Sequence, residues 1–228
     1  MFTSIFLFGS IIIGIILAEI LKDKLEKYIH YLVTFSGSYL LAISLLHILP
    51  ELLNHTSINF NTIGMYILIG FFIQIILEFF SKGFEHGHNH KEKNISFTMI
   101  ISLYLHAILE GMPLGGHLET HAHNSLLSGI ILHKIPIAIV MITFLIKNKV
   151  NKLTIYSLLL LFGLMSPLGA YLSTIPVLAN YTDYITSIVV GILIYLSTTI
   201  IIESSKEHKI TKENIILIIS SLILAAIT

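Results

Sequence analysis

The chain has 228 residues, is 55% hydrophobic and only 11% charged, and has zero formal net charge with a mean hydropathy of +0.88. A soluble domain of this length could not cover its surface with so few charges, so composition predicts an all-α, polytopic membrane protein. The lack of Cys excludes disulfides and thiolate metal sites, and the six scattered Met argue against a thioether copper path. Twelve His point instead towards borderline metals such as zinc.

About 20 apolar residues cross a bilayer core. Eight segments fit that length in chain order: 2–21, 31–53, 60–80, 95–116, 125–146, 153–173, 183–203 and 212–228. The first opens on Met1-Phe2-Thr3-Ser4, with no cation before its apolar run, so it reads as a retained span rather than a secretory signal. Between the third and fourth lies a loop, 81–94, containing Glu85-His86-Gly87-His88-Asn89-His90. Alternating His with Gly makes a flexible, weak metal-binding tract or, equally, a polar linker.

The loops alternate in charge. Lys22, Lys24 and Lys27 follow span one, Lys82, Lys91 and Lys93 span three, Lys147, Lys149 and Lys152 span five, and Lys206, Lys209 and Lys212 span seven. The loops after spans two, four and six carry no Lys or Arg. Such a positive-inside pattern places both termini outside and the 81–94 loop in the cytosol. The outer side then holds Glu51, Glu119 and Asp183, with His47, His55, His117, His121 and His123 at or near it. An acidic, His-rich mouth without Lys concentrates cations. The tract His117-Leu118-Glu119-Thr120-His121-Ala122-His123 reads as a capture site handing metal to His47 and Glu51, or as a solvated hairpin. Glu19, Glu78 and Glu203, near the inner span ends, read as interfacial partners for Lys.

The unusual residues are deep in spans four and five. His106 and Glu110 are four apart and share one helix face, with Ser102 one turn inward. His133 and Lys134 reach a matching depth on the returning span. Ionisable groups at mid-membrane face a cavity, a partner or an ion. Two imidazoles and a carboxylate, with water completing the sphere, suit a divalent transition metal. A single buried His would more simply hydrogen-bond a neighbouring helix. Pro113 and Pro136 each interrupt a span and would free the carbonyls of Leu109 and Leu132 beside these residues. Gly111, Gly115, Gly116 and Gly129 allow close helix approach.

These motifs resemble the ZIP family of metal-ion transporters. His106-Ala107-Ile108-Leu109-Glu110-Gly111 is similar to that family's span-four His-Asn-x-x-Glu-Gly, and His133-Lys134-Ile135-Pro136 to its span-five His-x-x-x-Glu with a preceding Pro. His47-Ile48-Leu49-Pro50-Glu51 resembles the ending of span two, and Ser166-Pro167-Leu168-Gly169 the polar-Pro-x-Gly element of span six. The resemblance implies a 3+2+3 bundle with inverted-repeat symmetry, spans four and five carrying the metal. Many members hold two metals. Here Ala107 replaces the Asn, Ile137 the second-motif Glu, and Ser166 a span-six carboxylate. What the resemblance then implies is one site, His106, Glu110 and His133, with Lys134 placing its ammonium where a second cation would sit.

The expected activity is uptake of a divalent metal, zinc foremost with Fe(2+), Mn(2+) or Cd(2+) as others, across a plasma or inner membrane. No enzyme activity, organic cofactor or nucleic-acid partner is expected, and no nucleotide-binding fingerprint is present. Pairing of two copies as a homodimer stays open. Two other readings remain: an intramembrane metal-dependent hydrolase, and a metal sensor that does not transport.

Overall fold

The computed structural model describes residues 2–21, 25–56, 58–81, 96–203 and 211–228, with side chains from residue 28 in the second helix and without that of His55. The described residues are helical or connect helices, with no strand among them. In chain order these are α1 (Phe2–Leu21), α2 (Leu25–Ile43), α3 (Leu49–His55), α4 (Phe60–Ser81), α5 (Phe97–Gly111), α6 (Thr120–Lys147), α7 (Lys152–Leu172), the short α8 (Pro176–Ala179), α9 (Thr182–Glu203) and α10 (Lys212–Ile227). A π-helical turn, Ser44–Ile48, fuses α2 to α3, and a 3₁₀ turn, Met112–Gly115, closes α5.

Seven helical runs among the described residues are long and apolar enough to cross a membrane. The segment expected as an eighth forms α10, whose 16 residues make a helix of about 24 Å, shorter than a typical bilayer core. Large apolar side chains cover the outside of the bundle, among them Ile16 and Ile20 on α1, Phe72 and Ile76 on α4, and Ile216 and Ile223 on α10. A surface so apolar belongs in lipid rather than water.

The helices pack in definite pairs: α4 on α9, α2 on α10, α1 on both α6 and α7, α5 on α7, and α2 on α9. Glycine makes two of these contacts possible. A Cβ on Gly70 would run into the backbone of Ile188, and one on Gly191 into that of Ile67, so α4 and α9 touch backbone to backbone. Gly111 and Gly169 do the same for α5 and α7, meeting Ser166 and Ile108 respectively. In lipid, where apolar burial gives helices little reason to associate, such close approach is a main source of attraction.

Beside a small cluster of Val33, Leu196 and Ile200, two large apolar clusters fill most of the interior. One joins α1, α5, α6 and α7 through Ile11, Leu103, Ala107, Ile137 and Phe162. The other joins α1, α2, α6 and α9 through Leu7, Leu40, Leu126, Ile130 and Leu193. On α6, Ile130 and Ile137 belong to different clusters, and His133 and Lys134 lie between them. A polar layer is thus sealed between two apolar ones.

Candidate metal centre

His106, Glu110 and His133 are each 1% exposed and Lys134 is fully buried. Helix α5 presents His106 and Glu110 one turn apart, with His106 Nε2 3.4 Å from Glu110 Oε2. From α6, Lys134 Nζ reaches the other oxygen, Oε1, at 3.0 Å. Ser166 on α7 has one hydroxyl proton between two acceptors, Ala107 O at 2.7 Å and Glu110 Oε1 at 3.0 Å. The carboxylate therefore has two sides. Oε1 faces protein donors, and Oε2 faces an imidazole.

Lys134 is held from a second direction. Its Nζ stands 4.3 Å from the centre of the Phe162 ring, itself buried on α7. A desolvated ammonium against an aromatic face gains roughly 2 kcal/mol, which lowers the cost of burying it beside one carboxylate. The Gly111–Ser166 and Gly169–Ile108 contacts bring α7 near enough for both Ser166 and Phe162 to take part.

The sequence reading missed Gln74. It lies on α4, 1% exposed, with Oε1 3.1 Å from His106 Nδ1. An amide oxygen only accepts, so Nδ1 donates and a neutral His106 keeps its lone pair on Nε2, towards Glu110. Metal-binding imidazoles are oriented by this kind of partner on the opposite nitrogen. The available signal was a single amide in the apolar run Ile73-Gln74-Ile75, a position where an intramembrane polar group needs a partner.

The His133 ring centre is 6.4 Å from that of His106, at 77°. Among the described residues, no three or more His, Asp or Glu side chains form a group able to hold a metal as they stand. Ser102 is buried on the same face, with its hydroxyl donated to Met99 O at 3.1 Å. One sequence expectation is corrected. Leu109 O is not freed by Pro113, because α5 tightens into the 3₁₀ turn and Met112 N–H bonds to it. A 3₁₀ turn accepts Pro near its start, where no N–H is needed.

At the His-rich end of the bundle, Glu51 Oε1 accepts from Glu119 N–H at 3.1 Å, tying α3 to the start of α6. Glu51, His117 and Asp183 line one cavity of about 180 Å³. His47 lies in the π turn, with Nε2 2.7 Å from Ala225 O and its ring 4.8 Å from that of His121. Helix α6 begins at Thr120, so His121 and His123 stand in its first turn rather than in a loop. At the opposite, Lys-bearing end, Glu19 accepts a hydrogen bond from the Tyr156 hydroxyl. His86, His88 and His90 lie outside the described residues.

Bundle and polar layer together define a polytopic membrane protein with a charged cluster buried at mid-span. Residues 85–227 match the family described as ZIP Zinc transporter, and the chain belongs to that family. The match includes His106, Glu110, His133, Lys134 and Ser166, and leaves Gln74, His47 and Glu51 before its start. The chain is also similar to "Zinc transporter ZIP1" of Plasmodium falciparum (isolate 3D7), 30% identical over 138 residues, covering 54% of this chain and 38% of that protein.

Proposed function

We propose that the protein moves a divalent transition metal across the bilayer into the cytoplasm, by alternating access through one site made of His106, Glu110 and His133. Zinc is the first candidate, by family and by donor set, with iron, manganese and cadmium as alternatives. In this reading α10 serves as an eighth span, and the Lys distribution among the loops supports both termini lying outside.

The packing supports an inverted 3+2+3 repeat. Exchanging spans one, two and three with six, seven and eight, and four with five, turns the α4–α9 pair into α10–α2. The same exchange turns α1–α6 into α7–α5 and leaves α1–α7 and α2–α9 as their own images. All six contacts occur in the bundle, while the α2–α6 and α4–α5 pairs have no counterpart of similar extent among the described residues. Spans four and five, the carriers of the site, then lie between two mobile units.

The observation that carries the site is the division of the Glu110 carboxylate. Two ligand atoms on a tetrahedral zinc with bonds of about 2.0–2.1 Å lie about 3.3 Å apart. His106 Nε2 and Glu110 Oε2 are 3.4 Å apart, an edge of that size. Two imidazoles on one zinc have ring centres about 5 Å apart. The 6.4 Å between His106 and His133 leaves a closure of more than 1 Å to be made when the ion enters. Lys134 meanwhile supplies a fixed positive charge to Oε1, in place of a second ion. The same ion pair weighs against hydrolysis: Lys134, tied to Glu110, is poorly placed as a base for activating water.

Radioactive zinc uptake into proteoliposomes tests the proposal, comparing the native chain with Glu110→Ala and His133→Ala. Saturable uptake lost in both variants is expected. Uptake that survives either substitution rejects the site, and zinc binding without uptake in the native chain rejects transport.

A further inference from the structure

The π turn at Ser44–Ile48 has a local cause. Leu49 N–H bonds to Ser44 O, five residues back, immediately before Pro50. In a regular helix the Pro50 ring would press on the carbonyl of Leu46, and widening the turn relieves that clash. The extra residue also turns subsequent side chains by about 100° relative to those before it. His47 falls inside this re-aimed segment. Such bulges occur often at functional sites.

The orientation of His47 is fixed by α10. Its Nε2 is 2.7 Å from the carbonyl oxygen of Ala225, which only accepts. Nε2 must therefore donate, leaving the Nδ1 lone pair of a neutral ring for another partner. His121 stands next to it from a separate helix. The two ring centres are 4.8 Å apart and the planes cross at 79°. Imidazoles sharing one zinc have centres about 5 Å apart. His47 is half-buried and His121 exposed, so the pair is open to ions arriving from solution.

We propose that His47 and His121 form a two-imidazole binding site for a divalent transition metal at the His-rich end of the bundle, separate from the Glu110 centre. Ala225 O sets the tautomer of one ligand, as second partners do at established metal sites. Two protein ligands with water in the remaining positions hold an ion weakly and release it readily. Imidazole donors favour zinc or nickel over magnesium or calcium. Combined with inward transport from this end, on which this one consequence rests, the site would screen ions by ligand preference before they reach the bundle interior. It stands on its own geometry, and a binding test separates it from the transport reading.

Carbethoxylation of histidines by diethyl pyrocarbonate, read residue by residue by mass spectrometry on the full chain in lipid nanodiscs, provides that test. Zinc chloride is expected to lower modification of His47 and His121 together, several-fold, while magnesium chloride leaves both unchanged. His121→Ala, at an exposed position, is expected to abolish the protection of His47. Glu110→Ala and His133→Ala should leave the protection intact, whatever they do to uptake. Protection of neither residue, equal protection by magnesium, or protection of His47 that persists in His121→Ala would overturn the proposal.

Discussion

Lys134 Nζ stands 3.0 Å from Glu110 Oε1, with Lys134 fully buried and Glu110 1% exposed. A buried pair of this kind is costly to half-remove, because the remaining charge has no solvent to turn to. Lys134→Met is therefore expected to destabilise the metal-free protein by about 3–5 kcal/mol. Zinc then becomes the available counter-charge for Glu110, so zinc should raise the melting temperature of the variant more than that of the native chain. Tighter binding should also lower the KM for uptake and slow release. Melting in detergent with and without zinc checks this, and equal zinc shifts in the two proteins would show that the ammonium does not compete with the metal.

Gln74 Oε1 accepts the Nδ1–H of His106, with the two heavy atoms 3.1 Å apart. Without that acceptor the ring can turn, or move its proton to the nitrogen that faces Glu110. Gln74→Leu should weaken zinc binding at the central site about 10–100-fold, the usual effect of losing such a partner. Gln74→Glu keeps an acceptor and should bind zinc more tightly than Gln74→Leu. Competition against a fluorescent zinc chelator gives the affinities. Unchanged binding in Gln74→Leu would mean that His106 is not oriented from α4.

The bundle was more legible in the sequence than the centre it carries. Apolar runs of about 20 residues mark helices because backbone groups in lipid must be paired internally. The i, i+4 spacing put His106 and Glu110 on one face, and their facing atoms do meet at 3.4 Å. What spacing on one helix cannot supply is the rotation of another. Gln74 on α4 and Phe162 on α7 enter the layer where close glycine contacts draw their helices against α9 and α5, and each looked like ordinary span sequence. The error at Leu109 has a similar origin. A proline shows where a regular helix must yield, but not whether it yields by losing a bond or by tightening into a 3₁₀ turn.

Gly111 abuts the Ser166 backbone so closely that a methyl group has no room. The obstacle is main chain, so the helices themselves would have to separate. Gly111→Ala should destabilise the protein by about 1–3 kcal/mol, the range for overpacking. It should also draw Ser166 away from Glu110 and reduce uptake more than expression. Gly64→Ala, at a position with nothing within 4 Å, serves as the control and should alter neither. Thermal melting together with uptake tests the pair, and a normally active Gly111→Ala would contradict the close α5–α7 contact.

Ile137 lies one helical turn beyond His133 and is 2% exposed, packed with Leu103 and Ala107 in an apolar cluster. It stands where the family pattern described above has a second-motif carboxylate. Ile137→Glu would therefore place a potential ligand beside His133 at the expense of burying a charge among apolar side chains. Without metal, the substitution should lower stability by about 3 kcal/mol or more, because a carboxyl is costlier to bury among apolar side chains than a neutral polar group. With zinc, the added carboxylate should complete four protein ligands, and the loss should be largely recovered. Melting curves over a zinc titration separate the two terms. Recovery that requires both His106 and His133 would place the ion between α5 and α6, whereas a loss indifferent to zinc would mean that the face of α6 below His133 does not look onto the metal.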